Sequence, residues 1–398
     1  MELKKYFYPA IVSIVSMMNI IGFIKPINGL YFSVMTCILV CLLIKGNLKL
    51  YYPLLMLVFV CVLSLVCNNY NSIFKPWYRL SYFCIILGVV SPIIQNDRVN
   101  LFRMNLFKCV ILLLVIASIA SFVCYFFGVN FMHRNEFDDI TVAGSFSGIL
   151  NHSMVLGPVA ALSCCYLLPY LFYSGLSNRK KIIVIIILLA SFGALLLSAS
   201  RGALVGGLAG FSFILYKLNK RRLMRLCKYL LLTIGLLYPI WSGYSSMMLQ
   251  KQRNNLESGS FMISRESKWE SRIIEFESSP FFGIGFATID PNGFDLYNRE
   301  TGTIEPGTSW GSILSMTGIL GFLLITYIVL SNWVFLFKDT NNVFTSTYLG
   351  GCLSFFIVHL LIEGYVFAAG SFLCFLFWLL LGVLAVNRKY HINLMFLK

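Results

Sequence analysis

Residues 182–216 read IIVIIILLASFGALLLSASRGALVGGLAGFSFILY. Two apolar runs, 182–199 and 203–216, meet at a single cation, Arg201. An arginine between such runs either sits at a membrane surface or is buried at a cost of several kcal/mol unless something pairs with it. Its neighbours Ser198, Ala199, Ser200 and Gly202 are small, so a second backbone or a ligand can approach closely. The junction therefore reads as an anion site on one face of a membrane protein.

The rest of the chain has the same character. Of 398 residues, 58% are hydrophobic and 12% charged, about half the charge of a soluble domain. Apolar runs of roughly 17–25 residues recur, the length that crosses about 30 Å of hydrocarbon. The sequence predicts an all-α polytopic integral membrane protein, a single membrane domain over 1–398. About twelve transmembrane helices are expected, near 7–24, 28–44, 50–67, 78–94, 106–127, 142–172, 182–199, 202–216, 229–248, 309–336, 343–362 and 370–387. The first follows only two lysines and shows no small-residue cleavage site, so a retained span is expected rather than a signal peptide. The sixth holds Pro158 and Pro169, which predicts a kink or an interfacial end.

The net charge of +15 does not point to nucleic acid, because its distribution follows the membrane. With both termini cytoplasmic, most basic residues fall on the cytoplasmic side, densest at Lys217, Lys220, Arg221, Arg222, Arg225 and Lys228 and at Arg179–Lys181. That is the positive-inside bias. It places the turn at Arg201 on the outer face. The twelve cysteines lie almost all inside spans, without metal-ligand spacing, and read as packing residues.

The largest hydrophilic segment, 249–308 between the ninth and tenth spans, falls on the same outer side as Arg201. A loop of this length usually carries function. Within it, 264–278 forms an amphipathic helix, with Ser264 as N-cap, Glu266 in the first turn and Pro280 beyond the end. Trp269, Ile273 and Phe276 make one apolar stripe, bordered by Arg265 and Arg272. Such a helix would lie on the membrane with its guanidinium groups at the edge; alternatively its arginines pair with Glu266, Glu270 or Glu275. A glycine-rich turn follows, Pro280-Phe-Phe-Gly283-Ile-Gly285, too short for a dinucleotide loop. There is no P-loop and no internal repeat, which weighs against nucleotide-driven chemistry and against a transporter built from duplicated halves.

Arg201, Arg265 with Arg272, and Glu305 could converge on the outer face. Arginine suits phosphate because it stays charged and offers a planar fork of donors. Two arginines can neutralise a diphosphate leaving group without a metal, and a carboxylate can accept a proton from an attacking hydroxyl. Other polar groups have simpler readings. Glu136-Phe-Asp138-Asp139 is an acidic pattern best read as a solvated loop. His152 beside Asn151 reads as a packing histidine, and His359 with Glu363, four residues apart, as a hydrogen-bonded pair near the outer end. His133 is a lone loop residue. Four scattered histidines give no zinc spacing.

Ser-Ala-Ser-Arg-Gly at 198–202 resembles the signature of the O-antigen polymerase and O-antigen ligase family (the Wzy/WaaL type). Arg265 and Trp269, then Pro280-x-x-Gly283-x-Gly285, then Gly318-x-x-Gly321 follow in the family's order, and Gly144-x-Phe146 with Asn151 is similar as well. The resemblance covers roughly 140–335. It implies a GT-C-like membrane glycosyltransferase with no cofactor and no metal, acting at the periplasmic face of the bacterial inner membrane. Donor and acceptor would be oligosaccharides on undecaprenyl diphosphate, and a chain-length regulator would be a partner. Arg201 and Arg265 would hold the diphosphate while an acceptor hydroxyl attacks the anomeric carbon with inversion. Arg272, Trp269, Asn151, His152 and Ser309 are the further substrate contacts expected. Ligases carry a His-Asn pair where this chain has Gly307-Thr308, which favours the polymerase branch, with Glu305 engaging the acceptor. The ligase is the alternative within the class, and a flippase for lipid-linked saccharides the rival outside it.

Overall fold

The computed structural model describes residues 3–25, 28–44, 49–68, 74–133, 145–172, 175–218, 263–290, 296–298, 303–390 and 394. Helices dominate: α1 (Leu3–Met18), α2 (Asn28–Leu43), α3 (Tyr52–Cys67), α4 (Pro76–Val90), α5 (Asp97–Phe126), α6 (Ser153–Leu167), α7 (Asn178–Leu197), α8 (Arg201–Lys217), α9 (Ile263–Ser278), α10 (Ser309–Lys338), α11 (Val343–Ile362) and α12 (Phe372–Tyr390). Two short antiparallel ladders accompany them. Lys49–Leu50 pairs with Ile94–Gln95, and Leu296–Asn298 with Thr303–Glu305 in the register Leu296↔Glu305.

Among the described residues, six helices are long and apolar enough to cross a membrane: α5, α6 with its 3-10 extension to Phe172, α7, α10, α11 and α12. The chain is a multi-pass membrane protein. The apolar helices α1–α3 have 16 residues each and α4 has 15, about 24 Å at 1.5 Å per residue and short of the ~30 Å core. Each expected span coincides with a helix except 229–248, which lies outside the described residues. The sixth starts later than its hydropathy suggests. His152, rather than a residue near 142, caps α6 by accepting from the Met154 N–H (3.1 Å). Beyond Leu167 the helix tightens into a 3-10 turn over Leu168–Phe172, the place where Pro169 withdraws a backbone donor.

Packing is closest between α8 and α11. Gly202, Gly206 and Gly210 form a stripe at four-residue spacing on α8. A Cβ on Gly206 would stand 3.0 Å from the Phe355 ring, and one on Gly210 2.7 Å from the Gly351 carbonyl. Without a hydrophobic drive between helices in lipid, such backbone approach supplies the contact energy through dispersion.

Among the described residues, the two most enclosed charges hold structure. Arg103, fully buried, donates through Nε to Val89 O (3.0 Å), Nη1 to Ile94 O (2.6 Å) and Nη2 to Gly88 O (3.1 Å). It thereby satisfies carbonyls that the end of α4 leaves without intrahelical partners. The other is Arg272, on α9.

Candidate active site

Ser198-Ala199-Ser200 joins α7 to α8 in three residues. Ala199 takes a left-handed conformation at φ 50°, a strained choice for a residue with a Cβ. Ser198 Oγ donates to Leu195 O (2.7 Å) and accepts from the Ser200 N–H (3.3 Å), while Ser200 Oγ caps the Ala203 N–H (3.4 Å). The serines thus build the turn, and Arg201 occupies the first position of α8, half-buried.

Gly157, in the second turn of α6, lies against this turn. A Cβ there would stand 2.7 Å from Ala203 Cβ and 2.8 Å from Ser200 Cβ. On the other side Gly202 meets Ile362 and His359, at 3.1 and 3.7 Å from its would-be Cβ. The last turn of α11 also holds the start of α10. Ser309 N and Oγ both donate to Glu363 O (3.0 and 2.6 Å), and Ser309 Oγ accepts from Tyr365 N (2.9 Å) and Val366 N (3.2 Å). The N-termini of α6, α8 and α10 therefore converge around the C-terminus of α11. Each helix N-terminus carries about half a positive charge, and Arg201 adds a full one. Anions are favoured at this end of the bundle.

The N-terminal half of α10 is separated from the rest by a break. Gly318 takes φ 63°, ψ −168° inside α10. The segment after α9 enters this break: Ile284 N donates to Ser315 O and Ile319 N to Pro280 O, both at 2.8 Å. A Cβ on Gly318 would stand 2.3 Å from Phe281 O, and one on Gly283 2.4 Å from Met316 C. Residues 283–289 are buried, tied to α3 by Phe286 N donating to Ser64 Oγ (3.1 Å) and by Asn68 Nδ2 donating to Gly283 O. Irregular backbone at this depth is tolerated because protein groups satisfy it. The two glycine motifs read separately in the sequence are one interlocked object.

α9 sits over the start of α10 with a polar face turned inward. Lys268, Ser271, Arg272 and Glu275 are buried, whereas Trp269 is 37% exposed, Ile273 53% and Phe281, just beyond the helix, 68%. Arg272 is 1% exposed. It pairs with Glu275 (2.8 Å), contacts Ser315 Oγ through Nη1 (3.5 Å) and packs its stem against Gly311. Burial pushes the Arg272 guanidinium below its ordinary pKa and the Glu275 carboxyl above its own. Glu275 also accepts from the Asp290 N–H (2.9 Å). Expected as a surface cation at the membrane edge, Arg272 is instead an internal tie between α9 and α10, the pairing with Glu275 having been the alternative. Lys268, which the sequence does not single out, lies against Gly307, 2.6 Å from a would-be Cβ to its own Cβ.

The remaining expected residues divide clearly. Asn151 receives a backbone link from His133 and ties to the end of α1, its N–H donating to Ile20 O (2.8 Å) and its Nδ2 to Asn19 O (3.2 Å). His152 is buried as the α6 cap, and Ser309 is the buried link to 363–366. All three stand in the shell that shapes the converging helix ends. Arg265 lies on α9 and Glu305 ends the last strand before α10; their side chains lie outside the described part of the structure, as do Gly144 and Glu136–Asp139. His359 Nδ1 shares a hydrogen bond with Tyr365 Oη (2.9 Å), and its ring stacks on Phe355.

Residues 185–326 match the O-antigen ligase family. The match runs from within α7, through Arg201 and α9, to just beyond the break in α10. The converging helix ends and the interlocked glycines therefore fall largely inside it. No curated protein matches the chain.

Proposed function

We propose that the protein is a polymerase of O-antigen or a related surface polysaccharide. It is an inverting, metal-independent glycosyltransferase that joins undecaprenyl-diphosphate-linked repeat units at the periplasmic face of the bacterial inner membrane. The observation that carries this reading is Arg201 at the meeting point of three helix N-termini, within the stretch similar to O-antigen ligases. A diphosphate leaving group develops charge as the glycosidic bond breaks, and preorganised cations and helix dipoles stabilise it without reorganisation. Arg201 supplies the cation, with Arg265 on α9 as the second. The acceptor hydroxyl attacks from the opposite side of the sugar.

The second reading, the ligase that moves finished polymer to a lipid A core, is favoured by the description of the matched family itself. Gly307-Thr308 in place of the ligase His-Asn pair favours the polymerase. A gel of surface polysaccharide from a deletion strain separates the readings. A single repeat unit on the core is the result expected. Lipid-linked polymer with none on the core would make the protein a ligase, and loss of both would point to a flippase.

A further inference from the structure

α8 and α10 both pack on α11, and between them they leave a furrow of about 550 Å³. Phe213 and Tyr216 of α8 face Trp333 and Phe337 of α10 across it, and α11 contributes Ser354 and Ile357. The rings bridge the gap: the centroids of Phe213 and Phe337 are 4.5 Å apart and those of Tyr216 and Phe337 5.2 Å. Trp333 is fixed in place by its Nε1 donating to Ser354 Oγ (2.8 Å). Tyr216 lies near the end of α8 that Arg201 begins, about 22 Å away along the axis. The furrow therefore belongs to the leaflet opposite the Arg201 end, and to a different site.

Its mouth is basic. Lys217, one turn beyond Phe213, donates to Asp339 O (2.6 Å) and to Ser346 Oγ (3.3 Å), which uses two of the three donors of its ammonium. Lys338 follows Phe337 as the last residue of α10 and is exposed. The carboxylate of Asp339 is engaged elsewhere: Oδ1 accepts from Asn341 N (3.1 Å) and Oδ2 from Asn387 Nδ2 (3.5 Å). In the sequence, five more cations follow directly after α8, at Lys220, Arg221, Arg222, Arg225 and Lys228, outside the described residues. The positive-inside bias accounts for cations at this end, but not for an aromatic-walled furrow that leads to two of them.

We infer that the furrow seats an acyl chain of an anionic phospholipid of the cytoplasmic leaflet, with the headgroup phosphate on Lys217 and Lys338. The inference is independent of the transferase reading. Charge selects the occupant. Any lipid tail fills an apolar furrow, whereas a basic recess between membrane helices prefers a negative headgroup, each nearby lysine strengthening binding about fivefold. A polyprenyl chain whose diphosphate sits at Arg201 would bring only hydrocarbon to this end and would leave the lysines without a partner.

The test reconstitutes the full chain in phosphatidylcholine vesicles that contain brominated phosphatidylglycerol, or brominated phosphatidylcholine with the same acyl chains. Bromine quenches tryptophan fluorescence on contact, and the Trp333 signal is the difference between wild type and Trp333→Phe. Phosphatidylglycerol is expected to reach Trp333 with about tenfold or greater preference over phosphatidylcholine. Lys217→Met and Lys338→Gln should each lower that preference about fivefold. Lys338 is exposed at a helix end, so Lys338→Gln keeps the test open where the loss of the Lys217 hydrogen bonds disturbs folding. Equal quenching by the two lipids, or a preference unchanged in Lys338→Gln, overturns the proposal. So does undecaprenyl phosphate that displaces brominated phosphatidylglycerol from Trp333 better than phosphatidylglycerol itself, which would make the furrow a polyprenyl seat.

Discussion

Arg201 is held by a turn that leaves it little freedom. Ser198, Ser200 and the left-handed Ala199 fix where α8 begins, and Gly157 and Gly202 let α6 and α11 close around that point. Arg201→Ala should abolish long-chain polysaccharide while the protein still accumulates in the membrane, since it removes the proposed charge neutralisation at the leaving group and leaves the serine hydrogen bonds of the turn in place. Arg201→Lys should fail as well, because a point charge does not reproduce the two-pronged donor geometry. Normal banding in the lysine variant would reduce Arg201 to a topology signal. At Ala199 the expectation reverses the usual rule for glycine: Ala199→Gly should be neutral or raise thermal stability by up to about 1 kcal/mol, by relieving φ 50°. Much of this was legible from the residues alone. The break between two apolar helices, with Arg201 opening the second, follows from hydropathy. What local sequence does not carry is the company of its turn, for Gly157, His359 and Ile362 come from helices distant in the chain.

At the scale of elements, two features depend on contacts that no periodicity encodes. The glycines of Pro280-x-x-Gly283 and Gly318-x-x-Gly321 are visible as motifs, yet their reason is mutual. Gly283 and Gly318 are 35 positions apart in sequence and touch across the break in α10. Gly318→Ala should therefore cost roughly 2–4 kcal/mol, combining a positive φ with a forced contact, read as a lower melting temperature in detergent. The second feature is α9. Its apolar stripe was legible from spacing, whereas which polar side chains its other face buries was not. Here the stripe of Trp269 and Ile273 faces out and the Arg272–Glu275 pair faces in, an arrangement suited to a lipid interface. In nanodiscs, Trp269, Ile273 and Phe281 should be as shielded from water-borne hydroxyl radicals as Leu208 on α8, with Glu277 freely labelled. Full labelling of Trp269 and Ile273 would place that face in water.

Across the whole molecule, the closest enclosure of charge and the chemistry proposed at the Arg201 end lie in different places. Arg103 lies in the second turn of α5, a helix of 30 residues. The far end of α5 reaches the α6 cap, where His133 N donates to Asn151 O. At 1.5 Å per residue, Arg103 is about 35 Å from that end. Its three hydrogen bonds to the carbonyls of Gly88, Val89 and Ile94 are enclosed, and Gly382 of α12 packs beside it, 3.2 Å from a would-be Cβ to Arg103 Cδ. Arg103→Met keeps most of the volume and leaves buried acceptors unsatisfied, each worth about 1–3 kcal/mol. The variant should therefore melt well below wild type and accumulate less in the membrane. Its turnover per folded molecule and its donor KM should be unchanged, because none of its three hydrogen bonds goes to a residue of the converging helix ends. A parallel fall in melting and in turnover per folded molecule for Arg103→Met would mean that the two ends of the bundle are coupled, and that the site's geometry depends on how α4 and α12 close around α5.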